Sequence, residues 1–309
     1  MSAYLKNKRQ VDPVLTQLAV GYRQANFIGE QVMPVVFVDK EGVRVPVFGK
    51  AAFVEYQTER APHAASNVMT LDSATMLPVV LEEHDLAAGV DYRENNESMF
   101  DEKAKATRRV TTGIELRQEL DIARLLQNKT TYQTGLTTDL SSGKQWSAAD
   151  SDPLTDIVNA KEKVRAECGQ KPNIMVTGAS VMNVLKRHPA LLAMLGGGNN
   201  LKMLSIEHLK AIFEVDDIIT GETVAAPDGK KLVDVWGKFT SLIVRPKAVE
   251  SGNDEGVPSF GYIFRRRGMP YVDRYEGVGG KVEYVRYTDI RKAAVVGGAC
   301  GFLFDKAIA

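Results

Sequence analysis

The densest cluster of ionisable side chains in the sequence is the run Glu82, Glu83, His84 and Asp85. A histidine beside carboxylates is a combination that enzymes use for general acid–base catalysis. A strand that ends here could aim two of these groups into a cleft. The same run is also typical of a solvent-exposed sheet edge, and this is the interpretation that we favour.

Two glycine-rich segments lack the residues that a phosphate-binding loop requires. The segment GVGGK at 277–281 is shorter than the loop G-x-x-x-x-G-K-[ST], and Val282 stands where that loop needs a hydroxyl. The segment GGGNN at 196–200 contains no lysine. We predict a turn at the first segment and a flexible loop at the second. The sequence also has no Gly-x-Ser-x-Gly nucleophile motif.

The histidines and cysteines show no metal-ligand spacing. His63, His84, His188 and His208 are not paired at zinc-binding distances with one another or with the two cysteines, Cys168 and Cys300. The cysteines are far apart in the sequence, which predicts no disulfide framework and fits a reducing compartment. We therefore expect no metal, no cofactor and no enzyme activity.

Two short basic runs are the remaining candidates for binding. Arg265, Arg266 and Arg267 lie in a segment with a strand-like pattern. In a strand, Arg265 and Arg267 would share one face. Arg108 and Arg109 lie in a predicted helix. Each run could contact phosphate or the acidic groups of a neighbouring subunit. The chain has 39 basic and 39 acidic residues, so it lacks the basic balance of a dedicated nucleic-acid binder.

A long helix is the clearest predicted element. Residues 97 to about 128 contain no proline and are rich in good helix formers. Acidic residues near the start interact favourably with the helix dipole. The helix would be about 45 Å long. Its apolar positions are close to helical spacing: Phe100, Ala104, Val110, Ile114, Leu120, Ala123 and Leu126.

The residues before this helix read as extended chain. Residues 1–41 show no persistent helical stripe, and they predict either an arm that lies on another molecule or an ordinary first layer of the core. Val43, Val45 and Val47 have strand spacing, and Pro46 favours an edge strand. The polar text that follows, TERAPHAASNVMTLDSATM, predicts a long hairpin or flap.

Helices and strands alternate between about 151 and 250. Asp152 and Pro153 predict a helix start, and Gly169 its end. Ser205 predicts a second cap, and Asp228-Gly229 a hairpin turn. The text KPNIMVTG predicts a buried strand, and residues after 259 predict long strands rich in valine and aromatic residues. The fold class is α+β. The N-terminus has no apolar core of a signal peptide, and no apolar run reaches the length of a membrane span.

The order of these elements resembles the Hong Kong 97-type major capsid proteins of tailed bacteriophages. The likeness covers nearly the whole chain, although each motif is one of shape and hydrophobicity. It rests on VDPVLTQLAVGYRQANFIGEQVMPVV, TERAPHAASN, LEEHDLAAGVDYRENN, ELRQELDIARLL, DPLTDIVNAKEKVRAECGQKPNIMVTGASVMNVLKRHPAL, GMPYVDRYEG and RKAAVVGGACGFLF. It implies an N-terminal arm at 1–41, an extended loop at 42–80, a peripheral domain with a spine helix at 81–150, an axial domain at 151–250, and at 251–309 peripheral strands that return to the axial domain.

The resemblance implies a shell subunit without enzyme activity. Copies of the chain would form the hexamers and pentamers of an icosahedral virion capsid, assembled in the host cytoplasm around double-stranded DNA that is bound without sequence specificity. The arm starts almost at Met1, so a separate scaffolding protein is expected, with portal and decoration proteins as further partners and no membrane. The expected inter-subunit contacts are Arg44, Phe53, Tyr56, Glu59, Arg60, Arg108, Arg109, Arg265 and Arg267.

Three alternatives remain open at this level. One is an encapsulin-like nanocompartment shell of the same fold, which would enclose enzymes instead of a genome. A second is a soluble α/β enzyme with its site between 151 and 250. The third is a phage tail or decoration protein.

Overall fold

The computed structural model describes residues 10–11, 27–47, 54–56, 58–63, 65–68, 75–98, 100–141, 143–148, 150–194, 203–246 and 259–309. The α+β prediction is confirmed. The helices are α1 (Gly29–Val32), α2 (Tyr92–Glu97), α3 (Glu102–Gln127), α4 (Pro153–Cys168), α5 (Ala179–Leu185), α6 (Pro189–Met194) and α7 (Ile206–Phe213).

The strands of the described residues form two large sheets and two hairpins. They are β1 (Gln10–Val11), β2 (Val35–Val38), β3 (Gly42–Pro46), β4 (Met76–Val80), β5 (Glu82–Asp91), β6 (Thr137–Asp139), β7 (Ile174–Gly178), β8 (Asp217–Gly221), β9 (Val224–Ala225), β10 (Val233–Asp234), β11 (Thr240–Ile243), β12 (Gly261–Arg266), β13 (Tyr271–Glu276), β14 (Val282–Val295) and β15 (Gly301–Asp305).

The first sheet is built around β14. One edge of β14 pairs with all of β5. The other edge pairs first with β13 and then with β12. Arg291 shows the two edges, since it lies opposite Glu82 on one side and Arg265 on the other. The strands β2 and β1 extend the sheet beyond β12 and β13. The predicted turn at 277–281 joins β13 to β14, with Gly279 and Gly280 at positive φ.

The helix α3 packs on β5 and β14. It begins later than the predicted residue 97, because the Asp101 side chain caps it by accepting hydrogen bonds from the backbone N–H groups of Lys103 and Ala104. Phe100 therefore lies outside the helix, and its side chain is 79% exposed. The apolar face is otherwise as predicted, since Val110 and Ile114 are buried against the sheet.

The second sheet has the order β6-β15-β11-β7-β8 and forms most of the main core. The predicted caps are confirmed: Asp152 accepts a hydrogen bond from Thr155 N, Gly169 ends α4 in the left-handed conformation, and Ser205 caps α7. The buried strand β7 and the turn at Gly229 between β9 and β10 are also as predicted. The loop predicted at 196–200 lies outside the described residues.

The residues from Ile28 to Val38 belong to the core of their own subunit. Ile28, Val32 and Met33 are buried, and β2 pairs in parallel with β12. An arm that reaches residue 41 is therefore not what the structure shows, because an apolar strand and a helical turn inside residues 1–41 satisfy their contacts within the chain. Of residues 1–26, only β1 is described.

The two cysteines form a disulfide, so the prediction that they would not pair is wrong. The end of α4 lies against residues 298–300, and the Cα atoms of Cys168 and Cys300 are 5.3 Å apart. The sequence separation of 132 residues concealed a contact that only the tertiary fold creates. Among the described residues, no helix combines the length and apolarity that a membrane crossing requires.

The disulfide should stabilise the subunit measurably. Because it closes a long loop of the unfolded chain, reduction should lower the free energy of unfolding by about 2–4 kcal/mol, measured by urea unfolding with and without reductant. The double variant Cys168→Ala/Cys300→Ala is the control, and its free energy of unfolding should be the same with and without reductant. Two free thiols per chain in protein denatured without reductant would contradict the pairing.

Candidate assembly surfaces

The strands β3 and β4 form a hairpin that is attached to the subunit by one face only. Five residue pairs hold the hairpin together, from Gly42 opposite Val80 to Pro46 opposite Met76. The inner face packs on the cluster that contains Phe264 and Ile290. The outer face is open, with Met76 52% and Val80 66% exposed.

The described residues beyond this hairpin, 54–56, 58–63 and 65–68, are here named the flap tip. They contain no helix or strand, and every one of them is exposed. The Asn67 side-chain amide donates a hydrogen bond to the Glu59 carbonyl, with 3.2 Å between the two atoms. Exposed apolar side chains include Val54, Tyr56 and Val68, the last with 88% of its surface exposed. Ordering such chain costs about 1–2 kcal/mol per residue in backbone entropy, and the subunit itself buries little to offset that cost.

Most of the expected contact residues lie on exposed surfaces. Arg44 is on the outer face of the hairpin, and Tyr56, Glu59 and Arg60 are in the flap tip. Arg108 and Arg109 are exposed on α3. Phe53 lies outside the described residues.

Arg265 is the exception, because it lies inside its own subunit with 6% of its surface exposed. Its guanidinium donates to Glu30 Oε1 at 3.1 Å and to Gln118 Oε1 at 3.0 Å, and it lies 3.1 Å from Asp289 Oδ2. Burial opposes the charged form, but the carboxylates of Asp289 and Glu30 outweigh it and raise the pKa of Arg265. We therefore remove Arg265 from the expected inter-subunit set, since its guanidinium is buried and bonded to groups of its own chain.

Arg267 lies two residues further on and has a different environment. Its Nε donates to Asp39 Oδ1 at 2.8 Å, and both side chains are more than 70% exposed. The predicted shared face of Arg265 and Arg267 is absent because β12 ends at Arg266. The expectation of a subunit contact continues to apply to Arg267.

The residues that suggested catalysis are used in pairing across the first sheet. Glu82 pairs with Lys292, and Asp85 lies 3.9 Å from Arg286. Burial, together with nearby Arg291, lowers the pKa of His84, so the imidazole is held towards its neutral form. Within the described part of the chain, no three histidine, cysteine or carboxylate side chains are grouped so that they could hold a metal ion.

The model of the family described as phage major capsid protein E matches residues 1–239. The chain belongs to this family. It is 42% identical to the major capsid protein of Burkholderia phage BcepMu over 306 residues, which are 97% of this chain and 98% of the relative. Its function is therefore that of a phage capsid subunit.

Solved structures agree on the fold. A phage-related protein from Bordetella bronchiseptica RB50 is 29% identical and superposes with a TM-score of 0.77, covering 97% of this chain and 98% of that one. An encapsulin from Synechococcus elongatus PCC 7942 is 12% identical with a TM-score of 0.54, covering 89% of this chain and 85% of that one, and this likeness shows the fold alone. The Hong Kong 97-type prediction is consistent with these neighbours, whereas the domain boundaries stay predictions.

Sequence reasoning missed the partners of the buried arginine. One of these partners is the carboxylate of Asp289, a residue with only 1% of its surface exposed. The available signal was an Asp directly before Ile290 in the middle of a segment with strand-like spacing, KVEYVRYTDIRKAAVV. A carboxylate at such a position requires a cation, because an unpaired buried charge is very costly.

The contrast between Arg265 and Arg267 gives a matched pair of variants. Arg265→Met leaves the carboxylates around it short of a cation, so it should lower the free energy of unfolding of the unassembled subunit by about 3–5 kcal/mol. Arg267→Met removes an exposed pair and should cost at most about 1 kcal/mol. Urea unfolding measures both. A folded Arg265→Met subunit of normal stability that does not assemble would return Arg265 to the inter-subunit contacts.

Proposed function

We propose that copies of this chain close into an icosahedral shell in which each subunit lays its flap tip over a neighbouring copy. The single observation that carries this proposal is that every described residue of the flap tip is exposed, on a subunit whose remaining elements bury an extensive core.

The energetics favour a neighbour as the cover. Burying a large apolar side chain completely contributes roughly 1.5–3 kcal/mol. Tyr56, Val68, Met76 and Val80 are already partly covered, so burial of each by a partner would contribute less than that full amount. Those gains appear only on assembly, as does the ordering of the flap. We expect such a subunit to fold alone, with part of its apolar surface left uncovered until it assembles. Many modest contacts of this sort make a closed shell hard to dismantle.

The proposed contact residues are those that remain on the surface. They are Arg44, Tyr56, Glu59, Arg60, Arg108, Arg109 and Arg267, with Phe53 retained from the sequence. We also propose that the N-terminal arm lies within residues 1–41. Residues 42–80 act as the extended loop, α3 with the first sheet forms the peripheral domain, and the second sheet forms the axial domain.

The remaining roles follow from a shell that encloses a genome. We propose hexamers and pentamers as the assembly units, packaged double-stranded DNA as the content, and a separate scaffolding protein with portal and decoration proteins as partners. Assembly in the host cytoplasm and a purely structural, non-catalytic role complete the proposal. The support is membership in a capsid family.

Deleting residues 58–68 tests the flap directly. Because the described residues among them are all exposed, the variant subunit should remain soluble and unfold at the wild-type urea concentration, yet it should not form closed shells in negative-stain micrographs. Replacing the same residues by a Gly/Ser segment of equal length is the control for chain length, and it should also fail if the side chains make the contacts.

Two results would contradict the role assigned to the flap. Normal shells from the deletion variant would show that neighbours do not need these residues. An unfolded variant subunit would show that the flap tip supports its own subunit.

A further inference from the structure

The disulfide between Cys168 and Cys300 ties α4 to the place where the chain changes sheets. Cys168 is the last residue of α4. Cys300 ends the segment 296–300, here named the crossover, through which the chain passes from β14 in the first sheet to β15 in the second. The two Cα atoms are 5.3 Å apart. The bond therefore fixes the connection between the two sheets to a helix of the main core.

The crossover also has contacts that do not depend on the disulfide. The backbone N–H groups of Val296 and Gly297 both donate to the Phe260 carbonyl, at 3.0 and 3.1 Å. The Val244 N–H donates to the Cys300 carbonyl at 2.9 Å. A subunit that carries two thiols keeps all these hydrogen bonds, so it folds in the same way. The covalent bond is then an added constraint on a connection that is already in place.

The two cysteine side chains lie in the main core, where bulky reagents do not reach them. Cys168 is 6% exposed, and Cys300 is 3% exposed. Thiol–disulfide exchange requires the attacking thiol to reach a sulfur atom, so a disulfide at this position is protected from exchange while the subunit is folded. For the same reason, the oxidant that forms it has to be small.

A phage subunit passes through compartments of different redox state. Thiols in a cytoplasm are kept reduced, and disulfides are typical of oxidising surroundings. The number and spacing of the cysteines predict a reducing compartment, whereas the fold places the two sulfur atoms in bonding contact. A bond that forms late, once the particle has left the cell, agrees with both observations.

We propose that Cys168 and Cys300 are thiols while the shell assembles and form their disulfide after the particle is released. This inference rests on the proposed function, which places assembly in the host cytoplasm. As the S–S bond forms, the two thiols lose two protons and two electrons. Dissolved molecular oxygen, which is small enough to enter the core, accepts them and becomes hydrogen peroxide. Both thiols belong to one subunit, so the reaction requires no second copy.

Counting thiols at each stage tests the order of events. Cells that produce the protein are quenched directly in acid, and the precipitate is dissolved in urea with N-ethylmaleimide. Particles purified in air are treated in the same way. We expect Cys168 and Cys300 to carry the label in the cell sample and to be unlabelled in the particles, as read by mass spectrometry. A disulfide already present in the cells, or thiols that persist in air-exposed particles, would overturn the inference.

Dissociation of shells in urea tests what the late bond does. Shells formed in the presence of reductant should dissociate at least about tenfold more slowly after exposure to air, because the disulfide restricts the unfolded chain. Light scattering follows the loss of shells. Shells of Cys168→Ala/Cys300→Ala are the control and should dissociate at one rate before and after exposure to air. Equal rates for the two wild-type samples would overturn the role given to the bond.

Shell formation in the two redox states separates this inference from the proposed function. Reduced wild-type protein should form normal shells. If only oxidised protein formed shells, the bond would have to precede assembly, which overturns the inference and leaves the shell function intact. Protein that forms shells in neither state would contradict the proposed function, and with it the inference that rests on it.

Discussion

The buried carboxylate of Glu119 is the point on which the arrangement of this subunit depends. It lies on α3 and accepts hydrogen bonds from the backbone N–H groups of Ile28 and Gly29, at 3.0 and 2.7 Å, and from Trp236 Nε1 at 2.7 Å. Burial raises its pKa, and these donors act in the opposite direction. A Cβ at Gly29 would lie 2.8 Å from Glu119 Oε2, so the approach requires glycine. One side chain thus joins the start of α1, the long helix and the segment before β11.

This junction explains how α3 serves both sheets. Val110 and Ile114 pack on the first sheet, whereas Ile122 and Leu126 are buried in the main core beside the second. The side of α3 that faces protein changes along its length, and Glu119 lies between the two packing regions. Both halves of α3 therefore pack within their own subunit. The flap has the opposite character, because among its described residues only the base of the hairpin packs on its own chain. A shell subunit needs both, since a rigid body must carry the segments that bind its neighbours.

The features predicted from the sequence are those encoded by neighbouring residues. Asp152 with Pro153, and Ser205, place helix starts through hydrogen bonds that span three positions. The features that failed depend on distant partners. Arg265 lies 235 residues from Glu30 and 147 from Gln118, and Cys168 lies 132 from Cys300. Arg265 meets its partners only once β12 pairs with β2, and the two cysteines meet only when the end of α4 packs against residues 298–300. The same limit applies to Ile28–Val38, whose short apolar patches fit both an arm and a core layer until β12 is placed.

Overall composition concealed the charge distribution for a related reason. A net charge of zero argues against a dedicated nucleic-acid binder, but it is an average over surfaces that face different environments. On α3 one carboxylate is directed into the core while every exposed residue is basic. The composition of a whole chain therefore does not describe the charge of any one of its surfaces, because packing decides which charged side chains remain outside.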